Sequence, residues 1–346
     1  MPSEVRVALD TMGGDRGPSV VVEGAAQFFE TCPRSVTRGV SVVLVGDKSL
    51  LEEYLPRLSG GGSRITVRHA SQVITMDDHP TEALKSKPDS SIAVMAGLQK
   101  AGAADAMVSP GNTGAVMAAS LMALGRIEGV ARPAIAASFP TQGNPTVVID
   151  VGANVGCRPE HLFQFALMGS AYSRGVFGIG NPRVALLNVG SEKTKGTPVE
   201  QQTHELLESS GLNFIGNIEG DGILKGGADV VVCDGFTGNV LLKATESIAE
   251  LIGGTLYHEM KRHWFSRAGF LLMRPAFTKL WKGLDSAEYG GAPLLGLNGV
   301  SIIAHGSSSA KAIRNAIAAA CAFCRSGVNS IISEGLGGKA SRGENP

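Results

Sequence analysis

The stretch Val230-Val231-Val232-Cys233-Asp234-Gly235-Phe236-Thr237-Gly238-Asn239 joins a short apolar run to a glycine-rich polar turn. Three consecutive valines favour a β-strand that is buried on both faces, as in a parallel sheet. The turn adds polar side chains to glycines, which let the backbone approach a ligand closely. The same junction recurs at five other places, where the turns begin at Thr11, Pro110, Val151, Gly190 and His305.

Strand-like runs alternate with helix-like runs along most of the chain. Val5–Asp10 is followed by Ser19–Glu30, for example, and Val147–Asp150 by Pro159–Arg174. This alternation predicts an α/β fold, a three-layer αβα sandwich around a mainly parallel sheet. Because ligands bind beyond the carboxyl ends of strands in open α/β sheets, we expect the six turns to converge on one cleft.

Composition excludes several classes of protein. The 346 residues carry 31 Lys and Arg against 31 Asp and Glu, and a chain of zero net charge is a poor nucleic-acid binder. Five scattered cysteines favour a reducing, cytoplasmic location, and Cys321 and Cys324 are predicted to be helix core. The first residues show no signal-peptide pattern, and no apolar run is long enough to cross a bilayer.

We expect one catalytic α/β domain over residues 1–336, followed by a disordered tail at 337–346. A helical hairpin over about 246–284, interrupted at Pro275, departs from the α/β rhythm. Six basic residues and one acid lie between His258 and Lys282, beside aromatic and aliphatic residues at helical spacing. This pattern predicts a protruding foot on an anionic membrane surface, or alternatively a core or dimer helix pair. The predicted membrane contacts are Trp264, Phe265, Phe270, Leu271 and Leu272.

Eight motifs, in this order, resemble those of the bacterial phosphate acyltransferases called PlsX, over about residues 4 to 335. The motifs are Leu9–Asp15, Gly111–Ala115, Asp150–Asn154, Leu187–Glu192, Gly216–Gly220, Cys233–Asn239, Glu288–Gly296 and Ala304–Ser308. Two positions depart from the family pattern: Asp221-Gly222 stands where Arg-Asp is usual, and Pro110 replaces a small residue.

The resemblance implies an activity, a fold and partners. Such enzymes convert an acyl-[acyl carrier protein] and inorganic phosphate into acyl phosphate, which a membrane glycerol-3-phosphate acyltransferase then uses in phospholipid synthesis. The fold is akin to that of isopropylmalate dehydrogenases and phosphotransacetylases, and the proteins form homodimers. The implied location is therefore cytoplasmic with peripheral membrane association.

Phosphate attack on a thioester requires a positioned phosphate, a stabilised oxyanion and protonation of the thiolate. Lys195 is the preferred catalytic residue, with Lys193 as the alternative in the same turn. His305 is expected to protonate the thiolate or to bind phosphate, unless it is a structural cap. Asn239 completes the predicted catalytic set. The predicted substrate- and phosphate-binding residues are Asp10, Gly13, Gly14, Asp15, Gly111, Asn112, Thr113, Asp150, Asn154, Ser191, Asp234, Gly235 and Ser307.

Structural alternatives remain open for several of these residues. Asn112 is equally suited to cap a helix, and Asp150 and Asp234 to stabilise their own turns. His204 is expected on the surface of a helix. Gly178-Ile179-Gly180 precedes a strand and lacks a third glycine, so it is no dinucleotide fingerprint, and no zinc spacing occurs. No cofactor or metal is predicted. The alternative functions are a phosphotransacetylase, a nicotinamide-dependent dehydrogenase and a non-catalytic carrier-protein scaffold.

Overall fold

The computed structural model describes residues 4–57, 62–141, 143–262, 265, 269–270, 272–275, 288 and 290–340. The strands are β1 (Val5–Asp10), β2 (Val40–Gly46), β3 (Ile65–His69), β4 (Ala106–Ser109), β5 (Ala134–Phe139), β6 (Thr146–Ile149), β7 (Val184–Leu187), β8 (Phe214–Ile218), β9 (Val230–Val232), β10 (Ala292–Leu295) and β11 (Val300–Ile303). The helices are α1 (Pro18–Thr31), α2 (Arg34–Thr37), α3 (Lys48–Tyr54), α4 (Pro80–Ser86), α5 (Ser91–Lys100), α6 (Thr113–Leu124), α7 (Pro159–Phe177), α8 (Pro198–Glu208), α9 (Gly220–Leu224), α10 (Gly235–Arg262), α11 (Ala310–Ser326) and α12 (Val328–Ala340).

All eleven strands among the described residues join one sheet in the order β3-β2-β1-β4-β11-β10-β5-β6-β9-β7-β8. Seven of the ten pairings are parallel, which confirms the predicted mainly parallel sheet. The three antiparallel pairings lie together in the middle, where β10 opposes both β11 and β5, and β5 opposes β6. The sheet therefore consists of two parallel blocks that run in opposite directions.

This reversal bears on the predicted convergence of the six turns. The block of β1, β2, β3, β4 and β11 ends at one edge of the sheet, and the block of β6, β7, β8 and β9 ends at the other edge. The turns after the six strands therefore do not share one end of the strands, as they would in a uniformly parallel sheet, and their convergence on one cleft stays a prediction. By an edge we mean here the side of the sheet on which strands end, not an outermost strand. We call the side with the carboxyl ends of β1, β4 and β11 the first edge, and the opposite side the second edge.

Helices cover both faces of the sheet, as predicted. One core layer includes Phe28 of α1, Phe165 of α7 and Ile313 of α11. The other includes Met95 of α5 and Val116 of α6, with Leu241 and Leu242 of α10 packed against it. In α11, buried apolar residues recur three and four positions apart, the spacing of one helix face. They are Ile313, Ala316, Ile317, Ala320 and Cys321.

Two predicted boundaries bear on the carboxyl-terminal part. α12 continues to Ala340, past the predicted start of the tail, and residues 341–346 lie outside the described residues. α10 begins at Gly235, well before the predicted hairpin start near Glu246, and ends at Arg262. The predicted hairpin residues Trp264 and Leu271 lie outside the described residues. Of the other predicted membrane contacts, Phe265 and Leu272 are exposed, and Phe270 is half-buried.

Candidate active site

Three turns interlock at the first edge. The backbone N–H of Asp15 donates to the carbonyl of Gly306 at 2.9 Å, which joins the turns after β1 and β11. A Cβ atom on Gly13 would lie 2.6 Å from the Cα of Gly111 in the turn after β4. Only glycine fits at position 13, because a methyl group there would force the two turns apart. The structure thus brings together the predicted residues that follow β1, β4 and β11.

Asp10 organises this edge from inside the protein. It is fully buried, and its Oδ1 accepts hydrogen bonds from the N–H groups of Met12 and Gly13, at 3.0 and 3.2 Å. The Ser109 hydroxyl donates to Asp10 Oδ2 at 2.6 Å and accepts from the Gly111 N–H at 3.0 Å. Both carboxylate oxygens of Asp10 therefore accept hydrogen bonds from the protein's own turns and hold those turns in position. The sequence had placed Asp10 among the predicted ligand-binding residues.

Asn112 is the N-cap of α6, so the structural alternative for this residue is confirmed. Its Oδ1 accepts from the Ala115 N–H at 3.0 Å, and its Nδ2 lies 3.2 Å from each of the carbonyls of Thr75, Met76 and Asp78. The side chain fixes the start of α6 to the preceding loop. The first turn of α6, which begins at the exposed Thr113, thereby faces the first edge with the positive end of its dipole.

His305 is exposed at the first edge, directly after β11. Its Nδ1 lies 2.8 Å from the Ser307 hydroxyl and accepts from the Ser307 N–H at 3.1 Å. Ser309 caps the following helix by accepting from the Ala312 N–H at 3.3 Å. The turn therefore presents the ring of His305 beside the N-terminus of α11.

Glu246 of α10 also belongs to this edge, and the sequence analysis did not single it out. Burial raises the pKa of its half-buried carboxyl group, and the nearby charge of His305 acts in the opposite direction. No sequence motif marks Glu246, because its proximity to His305 depends on the path of α10. That helix starts at the second edge, contacts β5 and β6, and carries Glu246 to the first.

At the second edge, Asp150 organises the turn after β6. It is fully buried, and its Oδ1 accepts from the N–H groups of Ile135, Gly152 and Ala153 at 3.0 to 3.2 Å. Its Oδ2 accepts from both the N–H and the Nδ2 of Asn154, at 2.7 and 2.9 Å. Burial raises the pKa of Asp150, although these hydrogen bonds lower it. The turn-stabilising alternative is thus confirmed for Asp150.

The start of α10 packs directly against that turn. Gly235 donates to the Asn154 carbonyl at 2.8 Å, and a Cβ atom on Gly238 would lie 1.9 Å from the Asp150 carbonyl oxygen. Asp234 Oδ1 accepts from the Thr237 N–H at 2.8 Å, which confirms its turn-stabilising alternative. This close approach places the half-buried Asn239 beside Gly152. A Cβ atom added to Gly152 would lie 3.7 Å from Asn239 Oδ1.

The thiols near this turn are poor nucleophiles. Burial raises the pKa of Cys157 to about 11 and that of Cys233 well above its usual value, and the charges of Asp150 and Asp234 act in the same direction. Because the thiolate is the reactive form of cysteine, neither side chain is suited to accept an acyl group at neutral pH. This chemistry favours direct attack by phosphate over a covalent acyl-enzyme.

The turn after β7 holds both candidate lysines, also at the second edge. It is fastened by Asn188 Nδ2, which donates to the Lys195 carbonyl at 3.1 Å, and by Asn217 Nδ2, which donates to the Glu192 carbonyl at 2.8 Å. Lys193 forms an ion pair with Glu208, whereas Lys195 Nζ lies 4.0 Å from Glu192. Lys195 is therefore the less engaged ammonium group of the two.

A groove of about 410 Å³ lies behind this turn and includes Ser191 in its lining. His204 also lines this groove. The prediction that His204 lies on the surface of a helix was wrong. Its ring is only 4% exposed, packs edge-on against Phe214, and has Nδ1 3.0 Å from Asn217 Oδ1. His204 lies in a helix, three residues after the exposed Gln201, so its position in the sequence did not indicate burial. The ring is buried because β8 covers it.

The predicted catalytic set is thus divided between the two edges. Lys195 and Asn239 follow β7 and β9 at the second edge, and His305 follows β11 at the first. α10 is the element that links them, because it begins beside Asn154 and reaches His305 through Glu246.

The sheet order and the glycine-rich turns define an α/β fold of the phosphotransacetylase kind. The EutD phosphotransacetylase of Staphylococcus aureus superposes with a TM-score of 0.60 at 19% identity, covering 93% of this chain and 94% of that one. A phosphotransacetylase of Streptococcus pyogenes gives 0.62 at 17% identity, with coverage of 94% and 95%. At these identities the similarity concerns the fold alone.

Sequence similarity narrows this class to one family. Residues 5–331 match the family described as "Fatty acid synthesis protein". A phosphate acyltransferase of Geotalea uraniireducens is 47% identical over 332 residues, which span 96% of this chain and 94% of that protein. The chain belongs to this family, the PlsX phosphate acyltransferases of bacterial fatty acid and phospholipid synthesis.

Within the described residues, no single helix has the length and apolar character needed to cross a membrane. Ala310–Ser326 and Val328–Leu336, bent by 50° relative to each other, meet those two criteria only as a pair.

Proposed function

We propose that this protein transfers the acyl group of an acyl-[acyl carrier protein] thioester to inorganic phosphate. A phosphate oxygen forms a bond to the thioester carbon, the carbon–sulfur bond breaks, and acyl phosphate and the free carrier thiol result. The observation that carries the proposal is the similarity to phosphate acyltransferases over nearly the whole chain. The unreactive thiols of Cys157 and Cys233 support the direct route.

Both edges supply groups that suit this chemistry. At the second edge, Lys195 offers a cation and Asn239 an amide beside the turn of Asp150. At the first edge, His305 lies near the N-termini of α6 and α11, which favour anions. Because these groups bond the substrates without exchanging atoms with them, their main contribution is orientation and charge stabilisation.

A second candidate, transfer between coenzyme A thioesters and phosphate, is favoured by the phosphotransacetylase fold. The two functions differ only in the thiol carrier, so one assay separates them. The full chain is incubated with phosphate and either palmitoyl carrier protein or palmitoyl coenzyme A, and acyl phosphate is trapped as its hydroxamate. We expect product from the carrier-protein thioester only. Thioester loss without acyl phosphate would exclude acyl transfer, and no loss at all would favour a scaffold.

The proposal extends to assembly and location. The single sheet supports one catalytic unit over residues 1–336. α10 exposes Ile248, Leu251, Ile252 and Tyr257, an apolar surface that supports a homodimer through this helix. Exposed Phe265 and Leu272 support peripheral contact with an anionic membrane, where a glycerol-3-phosphate acyltransferase would consume the acyl phosphate.

A further inference from the structure

Two contacts from one residue define the state of the His305 ring. The Ser307 N–H donates to Nδ1 at 3.1 Å, and the Ser307 hydroxyl lies 2.8 Å from the same nitrogen. A backbone N–H can only donate, so Nδ1 must present its lone pair. The hydroxyl can either donate or accept, and it therefore fits this state as well. Of the two neutral tautomers, only the one with its proton on Nε2 satisfies both contacts.

Two carboxylates lie close to this turn. Asp15 lies against Gly306, where its Oδ2 would be 2.5 Å from an added Cβ atom. Glu246 of α10 is close enough for the charge of His305 to lower its pKa, and Lys243 acts on the same carboxylate in the same direction. An imidazolium would direct a second N–H at the Ser307 N–H and lose that hydrogen bond.

We propose that Ser307 is a positioning residue that holds His305 as the neutral Nε2–H tautomer, which donates a hydrogen bond to a phosphate oxygen or to the thioester oxyanion. This inference rests on the proposed acyl transfer. It assigns His305 a different task from protonation of the thiolate, because a neutral ring that gave up its Nε2 proton would become an imidazolate. Thiols have a pKa of about 8.5, so the sulfur can leave with the electron pair of the broken bond and take a proton from water.

The tautomer is measured directly by long-range ¹H–¹⁵N NMR on the full-length protein labelled at histidine. The His305 signals are those that disappear in His305→Gln. We expect the Nε2–H pattern at neutral pH, retained in Ser307→Ala, which keeps the backbone donor, and lost in Ser307→Pro, which removes it. His69 is an internal reference, because its Nδ1 accepts from the Lys48 N–H at 3.2 Å. A ring protonated on Nδ1, or on both nitrogens, would overturn the proposal.

The donor role is tested by comparing three variants in the acyl-phosphate assay. Glutamine places an amide nitrogen near the position of Nε2, whereas asparagine places one near Nδ1. We expect His305→Gln to keep most of the rate and His305→Asn and His305→Ala to lose about 10²–10³-fold, the effect of removing one oxyanion donor. Equal losses in all three variants would exclude the donor role. A wild-type protein that forms no acyl phosphate would instead refute the proposed function, and the NMR result would still establish the tautomer.

Discussion

Asn154 donates two hydrogen bonds to one carboxylate oxygen of Asp150, from its backbone N–H at 2.7 Å and from Nδ2 at 2.9 Å. The other oxygen of Asp150 accepts from three further backbone N–H groups. One buried carboxylate thus holds both the turn after β6 and the backbone of Ile135 in β5. The same design recurs at Asp10, where the turn after β1 and Ser109 share one buried carboxylate.

Asp150→Asn should lower the free energy of unfolding. The isosteric amide replaces an acceptor with N–H groups that face buried donors, and an unsatisfied buried partner costs about 1–3 kcal/mol. Urea denaturation followed by circular dichroism measures the loss. Glu53→Gln, at an exposed position on α3, is the matched control and should be neutral. If the two variants unfold at the same urea concentration, Asp150 does not organise this turn.

Lys195→Ala should slow acyl-phosphate formation by about 10²–10³-fold, as the loss of one preorganised charge-stabilising group does. Lys193→Ala is the comparison, because Lys193 is engaged by Glu208 on the protein surface. We expect it to remain within a few-fold of wild type. The reverse order of effects would identify Lys193 as the working residue, and near-normal rates for both would remove this turn from the mechanism.

The effects of Lys195→Ala and His305→Ala on the rate should add, because Lys195 lies near Glu192 and His305 contacts Ser307, and neither contact joins the two residues. Effects of well-separated residues add as free energies, within about 0.5 kcal/mol, whereas residues in contact are coupled. The rates of Lys195→Ala, His305→Ala and the double variant give the coupling energy. A double variant no slower than the worse single variant would show that both groups act on the same atoms.

Much of the fold follows from sequence, and the strand directions do not. The valine run of β9, the helix cap Asn112 and the helix-core position of Cys321 have local signatures, and each is confirmed. β10 (Ala292–Leu295) is short and contains Pro293, so its sequence does not indicate a strand. Yet its antiparallel pairing with β11 and β5 reverses half of the sheet. A local pattern specifies a strand but not the direction of a partner distant in sequence.

The same limit applies to the site. The polar turns are recognisable, but the sequence left open whether Asp150 and Asp234 bond their own turns or a ligand, and it did not indicate that Asp10 bonds its own turn. That outcome depends on how N–H groups are oriented by the glycines beside them. Glu246 was missed for the opposite reason: it lies in mid-helix, and only the path of α10 across the sheet brings it near His305.

The ion pair of Arg6 with Asp105 should make stability depend on pH. Burial raises the pKa of Asp105, but the hydrogen bonds from Arg6 outweigh this and lower the pKa below its usual 3.8. A carboxyl group with a lowered pKa stabilises the fold above its unfolded pKa and loses that contribution as the pH falls through the folded value.

Asp105→Asn should therefore cost about 1 kcal/mol at pH 7 and progressively less below about pH 4. Urea midpoints across this range measure the difference. Glu128→Gln, exposed and outside the pair, is the control, and a constant difference at all pH values would contradict the assignment.

Membrane contact should depend on the apolar residues beyond α10. Phe265 and Leu272 are 59% and 84% exposed, and Arg262 and Arg274 are exposed in the same segment. Aromatic and aliphatic side chains enter the interface, and each basic residue near an anionic surface contributes roughly 1 kcal/mol, weakened by salt. The full-length protein should therefore float with vesicles of phosphatidylglycerol and phosphatidylethanolamine at low salt and be released at high salt.

Phe265→Glu combined with Leu272→Glu should abolish flotation, because the new charges oppose insertion and are repelled by the headgroups. Leu224→Glu, at a 47% exposed position on α9, is the matched control and should leave flotation intact. If the double variant floats like wild type, or if wild type fails to float at low salt, this segment does not bind the membrane.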